Sequence, residues 1–179
     1  AFSADTPCNE IHEYFMRLAF KQAEAASRVN EVPIGAVVVQ NLTTASDESQ
    51  IYRVVAERHN RVERLHDATA HAELLALRQA GNRQGNWRLI NTTLYITLEP
   101  CPMCLAAAQA SRVQSIVYGA PDHRLGALGT HLNLLLVVPH PYHTIDCVVG
   151  GVCESECGGI VRDFFRRRRR DNDKARSSR

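Results

Sequence analysis

No apolar run in this chain of 179 residues approaches the length needed to span a membrane. The longest candidate, "LNLLLVV" from Leu132 to Val138, is far too short, so no membrane association is expected. No secretory h-region opens the sequence. It begins at Ala1 rather than Met, which reads as a processed or trimmed end. No internal repeat is present, so a repeat array is not expected. What is there suits a packed globular core: 45% of residues are hydrophobic and 22% charged, which argues against global disorder.

The small net charge of +2 hides an asymmetry. Eight of the 21 Lys and Arg residues follow Phe165, in "FFRRRRRDNDKARSSR". The body is therefore acidic and the end basic. We expect a folded domain over 9–165 and a basic tail over 166–179. Such a run is solvated by default, and in some proteins it is a nucleic-acid arm. The six cysteines are Cys8, Cys101, Cys104, Cys147, Cys153 and Cys157. In a chain of this length without a signal peptide, and with one tight CxxC, they favour a reducing intracellular compartment and a metal or redox site.

The hydrophobic pattern predicts a helix over 10–28, capped by Asn9, with an apolar face of Ile11, Phe15, Leu18 and Phe20. Pro33 stops it. "IGAVVVQ" (34–40) and "IYRVVAERHN" (51–60) read as two strands of a hairpin joined by a long polar loop. A second helix is expected from Thr69 or Ala70 to Ala80, ended by Gly81. "TTLYIT" (92–97) is a third strand, and Pro102 suits the first turn of the helix after it. "SIVYG" (115–119) and "TIDCVV" (144–149) are further strands. "ESECGGIVRDFFRRR" is a last helix, weakened by Gly158 and Gly159. This alternation predicts an α/β fold, a three-layer α/β/α sandwich on a mixed five-stranded sheet.

Two short motifs carry chemistry: "HAE" at 71–73 and "PCPMC" at 100–104. His71, Cys101 and Cys104 make a three-ligand set for zinc, each near a helix N-terminus that favours negative charge. A fourth protein ligand would close the site and make it structural; an open position would make it catalytic. Glu73 lies two residues from His71, so it does not share that residue's face. It could instead move protons to and from a metal-activated water. Blander readings compete. A lone CxxC is more often a redox pair or half of a structural zinc site, and a lone HxE says almost nothing. Cys147, Cys153 or Cys157 could supply a fourth ligand. The ordered pattern of HAE opening one helix, then a strand, then PCxxC opening the next favours catalysis. Cys8, Cys147, Cys153 and Cys157 read as small hydrophobes, and the other seven histidines as surface or packing residues.

The H-x-E and P-C-x-x-C pair resembles the zinc-dependent nucleoside and base deaminases. The likeness extends further. "EVPIGAVVV", "HDATAHAELLALRQ", "RLINTTLYITLEPCPMC", "SRVQSIVYGAPD", "GALGT", "GGVCESEC" and "DFFRRRR" together resemble the bacterial-type tRNA adenosine deaminases from about residue 10 to 170. The resemblance implies a cytidine-deaminase-like fold and hydrolytic conversion of adenosine to inosine at the wobble position of a tRNA anticodon. It implies one zinc ion (Zn2+) per subunit, held by His71, Cys101 and Cys104, with Glu73 as the proton shuttle. It implies that Asn60 contacts the target nucleoside, and that Ala72, Thr97, Leu98 and Glu99 wall the base pocket. Asp122 matches an acidic position beside the anticodon loop, and Arg166, Arg167, Arg168 and Arg169 would meet RNA phosphates. The partners implied are a tRNA anticodon stem-loop and a second copy in a homodimer.

The chain departs from the bacterial pattern in three places. The first hairpin carries an insertion around 43–50. "NRP" is "NRV" at 60–62, and Tyr142 replaces an asparagine before His143, which alters one contact to the anticodon loop. "VVPHPYHTIDCVVGGVCESEC" is somewhat more similar to a plastid form, so the expected location is intracellular, in a plastid or otherwise the cytoplasm. Two rival readings remain: a deaminase of a free purine or pyrimidine base or nucleoside, which needs no arginine run, and a non-catalytic zinc-bearing RNA-binding subunit, which would lack Glu73.

Overall fold

The computed structural model describes residues 2–3, 7–44, 46–47, 49–137 and 139–177. Part of the hairpin insertion, residues 45 and 48, and the last two residues of the tail lie outside the described residues. Helix α1 (Cys8–Arg28) starts after Pro7, so Asn9 lies inside the helix rather than capping it. Its buried stripe is Ile11, Phe15, Met16, Ala19, Ala23 and Ala26, spaced as one helical face. Two short strands that the hydrophobic pattern did not reveal, β1 (Phe2–Ser3) and β3 (Ser49–Gln50), pair antiparallel at the periphery.

The main sheet contains β2 (Gly35–Asn41), β4 (Tyr52–His59), β5 (Thr92–Leu98), β6 (Ser115–Ala120) and β7 (Cys147–Val149). Their order is β4-β2-β5-β6-β7. The first three run antiparallel, and β5, β6 and β7 run parallel. Strand β2 is continuously apolar because both its faces are covered. Val37 and Val39 pack with α1 on one side, and Ala36 and Val38 face the second layer. Gly35 sits where α1 crosses β2, and a Cβ there would run into the Ala19 carbonyl and Ala23.

The second layer is α3 (Ala72–Gln84) and α4 (Pro102–Ala110), which bury Ala72, Ala76, Leu77, Ala80, Leu105 and Ala108 against the sheet. Helix α3 does not end at Gly81. It runs one turn further, held by Arg83 on the Val55 carbonyl and Gln84 on Gln40, and Gly85 closes it in the left-handed conformation at φ 62°. Before it comes a single turn, α2 (Val62–Leu65). Another short turn, α5 (Leu134–Val137), precedes β7.

Helix α6 (Glu154–Ser177) lies on the α1 side of the sheet, anchored by the buried Cys157 and Phe164. It continues through the arginine run, so no break in secondary structure falls at Phe165. Of the remaining cysteines read as small hydrophobes, Cys8 and Cys147 are exposed and Cys153 is only half-buried.

Candidate zinc centre and active site

The two chemical motifs meet where α3 and α4 begin. His71 is the N-cap of α3 and Cys101 the N-cap of α4, both with extended backbone, and neither side chain is used as a cap. Pro102 occupies the first turn of α4, where its missing N–H costs nothing. The three ligand atoms of His71, Cys101 and Cys104 lie within 4.8 Å of one another. His71 Nδ1 stands 3.4 Å from Cys104 Sγ and 3.8 Å from Cys101 Sγ. No fourth His, Cys, Asp or Glu joins this cluster among the described residues.

The thiols act as a pair. A hydrogen bond from Cys104 brings the Cys101 pKa down to about 4, against the opposing effect of burial and with help from His71. The bond it donates to Cys101, together with burial, pushes Cys104 well up. His71 is raised by its bond to Cys101. The pair therefore shares one proton, which a metal would displace, because the thiolate is the ligand.

Glu73 lies in the first turn of α3, 3% exposed. Its Oε2 is buried and accepts no hydrogen bond from the described residues. Burial raises its pKa, and its own backbone amide, the charge of His71 and the neighbouring Cys104 thiol oppose that only in part. An orphaned carboxylate oxygen beside two sulfurs and an imidazole fits a site that holds a metal and a small polar group.

The side chains of several other expected site residues are engaged elsewhere. Ala72 is fully buried as the first residue of α3, and Leu98 is half-buried at the end of β5. Thr97 is buried and its hydroxyl accepts the Gly35 amide at 3.1 Å, so its side chain is committed to the sheet. Glu99 is 2% exposed, but its carboxylate turns to the 121–130 loop. Asp122 Oδ1 accepts the amides of Arg124 and Leu125 and so caps its own turn. Asn60 is buried at the end of β4 and donates from Nδ2 to Glu31 Oε2 at 3.1 Å.

Glu31 was not among the expected residues. It is 1% exposed and also accepts the amides of Glu63 at 3.3 Å and Arg64 at 2.7 Å. It thereby fixes Asn60 and the start of α2, the segment that leads to His71. A lone glutamate between a helix end and Pro33 gives no signal of this, because its partners are 29 to 33 residues away.

Residues 9–120 match the family model for the cytidine and deoxycytidylate deaminase zinc-binding region. The tRNA-specific adenosine deaminase of Bacillus subtilis is 42% identical over 93% of this chain and 96% of its own length. This chain belongs to the zinc-dependent cytidine and deoxycytidylate deaminase family, in its tRNA-specific adenosine deaminase branch. The chloroplastic tRNA(adenine(34)) deaminase of Arabidopsis thaliana is 37% identical over 94% of this deaminase, which spans only 13% of that protein's length. A solved structure from work on A-to-I editing by tRNA:A34 deaminases superposes with a TM-score of 0.70 at 40% identity, covering 82% of this chain and 98% of that one.

The arginine run of the deaminase is partly occupied. Arg166 pairs with Asp163 at 3.2 Å, Arg168 with Glu63 at 3.5 Å, and Arg167 donates to Ser27 Oγ at 2.9 Å. Arg169 and Arg170 are exposed. The Arg168–Glu63 contact sets the middle of the run beside α2, close to Glu31 and Asn60.

Proposed function

We propose that this deaminase converts adenosine to inosine at the wobble position of a tRNA anticodon. The observation that carries the reading is the unpartnered, buried Glu73 Oε2 beside a three-ligand cluster that lacks a fourth protein ligand among the described residues. The relatives supply the substrate class, since the Bacillus subtilis protein is named a tRNA-specific adenosine deaminase.

His71, Cys101 and Cys104 would hold one zinc ion, which as a Lewis acid would lower the pKa of water to near neutrality. Glu73 then moves protons: it takes one from the water and delivers it to adenine N1 as the water oxygen bonds to C6, then takes the second from the new C6 hydroxyl and passes it to the amino group as the C6–N bond breaks. Its burial-raised pKa suits a group that must hold a proton between those steps. The reaction consumes water and releases ammonia. Asn60 orients the flipped-out nucleoside against a wall formed by the backbone at Ala72 and the strand end Thr97, Leu98 and Glu99. Asp122 lies beside the anticodon loop, and Arg166, Arg167, Arg168 and Arg169 position the RNA through its phosphates.

We assign a homodimer as the working form. Helix α4 exposes Met103, Ala106 and Ala110 along an apolar face, while its only long polar residue, Gln109, is buried. Burial of that face against a second copy would remove it from water. The likeness to the chloroplastic relative supports a plastid location. The folded domain of 9–165 and the basic tail of 166–179 remain our functional division, with the second riding on the continuous helix α6.

The direct test compares turnover of an anticodon stem-loop carrying adenosine at the wobble position with turnover of free adenosine, guanine and cytidine. The reading expects turnover of the stem-loop alone. Faster turnover of a free base would make the chain a base deaminase. Zinc binding with no turnover of any of them would make it a non-catalytic subunit.

A further inference from the structure

Glu99 is a buried carboxylate whose work lies outside the chemistry above. It follows β5 directly and stands two residues before Cys101. Its Oε2 accepts the Asp122 amide at 3.1 Å. Its Oε1 accepts the amides of Leu128 at 2.9 Å and Thr130 at 3.2 Å. The Thr130 hydroxyl adds a further bond. A chain segment of nine residues is thus wound round one carboxylate. Gly126 lies at the centre of the winding, where a Cβ would collide with Glu99 Oε2 and the Asp122 carbonyl. The same loop is tied to the ligand strand by its backbone, since Ala127 N donates to the Pro100 carbonyl at 2.9 Å. Beyond it, Leu128, Leu132, Leu134 and Leu135 pack on the core shared with α3 and α4.

This loop leaves the C-terminal end of β6, beside the end of β5 from which the Cys101 ligand emerges. In open sheets with parallel strands, that edge is where ligands sit. We propose that Glu99 is a positioning residue: its carboxylate holds the 121–134 loop as a fixed wall of the substrate pocket, and Gly126 is its necessary counterpart. The inference rests on the deaminase reading above and names what maintains the pocket of that site. The Glu99 carboxylate is taken up by loop amides, so its side chain serves the pocket wall through the loop it holds. It replaces, with one buried anion, the water that three loop amides would otherwise need, so the loop is set before substrate arrives.

The test uses the full-length zinc-loaded protein with Glu99→Gln, Gly126→Ala and the double variant. Gln keeps the shape but turns an NH2 toward backbone donors. Three quantities are read: zinc per chain, amide exchange of peptides covering 121–134, and KM and kcat on the wobble-adenosine stem-loop. We expect zinc to stay stoichiometric in all three. Exchange in the loop peptide should rise by roughly tenfold or more while the α1 and α3 peptides stay at wild-type rates. KM should rise roughly tenfold with kcat within about threefold, because a displaced wall weakens positioning rather than proton transfer. The double variant should be no worse than the worse single, since both act through one loop.

Unchanged loop exchange in Glu99→Gln would overturn the proposal. So would raised exchange with KM and kcat both unchanged, or additive effects in the double variant. Loss of zinc in Glu99→Gln would also overturn it, by placing the residue's effect on the metal cluster. If the wild type fails to turn over the stem-loop, the substrate reading fails first, and the exchange and zinc measurements still decide whether Glu99 holds the loop.

Discussion

The side-chain nitrogen of Asn60 donates to Glu31 Oε2 across 3.1 Å, and both residues are buried. That bond fixes which face of the Asn60 amide can turn toward a ligand. The same carboxylate caps the amides of Glu63 and Arg64. Glu31→Ala would leave a buried amide without its partner. We expect a loss of about 1–3 kcal/mol in unfolding free energy, the cost of an unsatisfied buried donor. Urea midpoints of wild type and variant measure it, and a variant within about 0.3 kcal/mol of wild type would mean that water satisfies these groups.

Glu73 gives the opposite signature. Its buried Oε2 has no partner among the described residues, so the folded state bears a desolvation cost there. Glu73→Ala should keep zinc and lose turnover by about a hundred- to ten-thousand-fold, the usual worth of a proton carrier. Its melting temperature should be no lower than wild type. A fall of less than tenfold in kcat, or a clear loss of stability, would remove Glu73 from the proton-transfer role.

Glu99 predicts a pH dependence of stability. Burial pushes its pKa up, but the Thr130 hydroxyl and the amides of Asp122, Leu128 and Thr130 outweigh that and leave it below the ordinary carboxylate value of 4.5. A group depressed on folding contributes stability that is present above its unfolded pKa and lost as the pH falls through its folded pKa. The stability gap between wild type and Glu99→Gln should therefore be full at pH 6 and shrink below about pH 4.5. Urea titrations of both proteins at several pH values check the sign. A gap that widens on acidification contradicts the assignment.

The ion pairs on α6 refine what the arginine run can do. Arg166 and Arg168 already face Asp163 and Glu63, whereas Arg167 donates to the neutral Ser27 and Arg169 is exposed. If Arg167 and Arg169 meet phosphates, replacing both with Ala should flatten the slope of log affinity against log salt by about 1.5, at roughly 0.7–0.9 per contact. Stem-loop binding at several salt concentrations reads this. Equal slopes would reduce these residues to a solvated helix end.

The catalytic motifs and the sheet were readable from sequence for a physical reason. A metal cluster built from two helix N-termini needs its ligands in short local motifs, and both HAE and PCPMC are local. Strand β2 announces itself by the continuous apolar run Ala36 to Val39, and β5 by Leu94, Tyr95 and Ile96, because helices cover both faces of the sheet there. What could not be read depends on contacts distant in sequence. Glu31 and Glu99 look like ordinary charged residues until Asn60 and the 121–130 loop are brought to them. Helix ends were misplaced for a related reason. Gly81 and Gly85 are equal in sequence, but only Gly85 adopts positive φ, and tertiary bonds from Arg83 and Gln84 hold the extra turn. Gly158 and Gly159 should weaken α6, yet the buried Cys157 and Phe164 anchor it through them.

Editing of the wobble adenosine of a tRNA is the activity that this zinc deaminase must show. The most direct measurement incubates the zinc-loaded protein with total tRNA and sequences the product for A-to-G changes, with Glu73→Ala in parallel. A-to-G conversion should be confined to the wobble position of one or a few tRNAs, and absent with the variant. Conversion scattered over other positions, equal conversion by Glu73→Ala, or no conversion by an active zinc-loaded protein would contradict it.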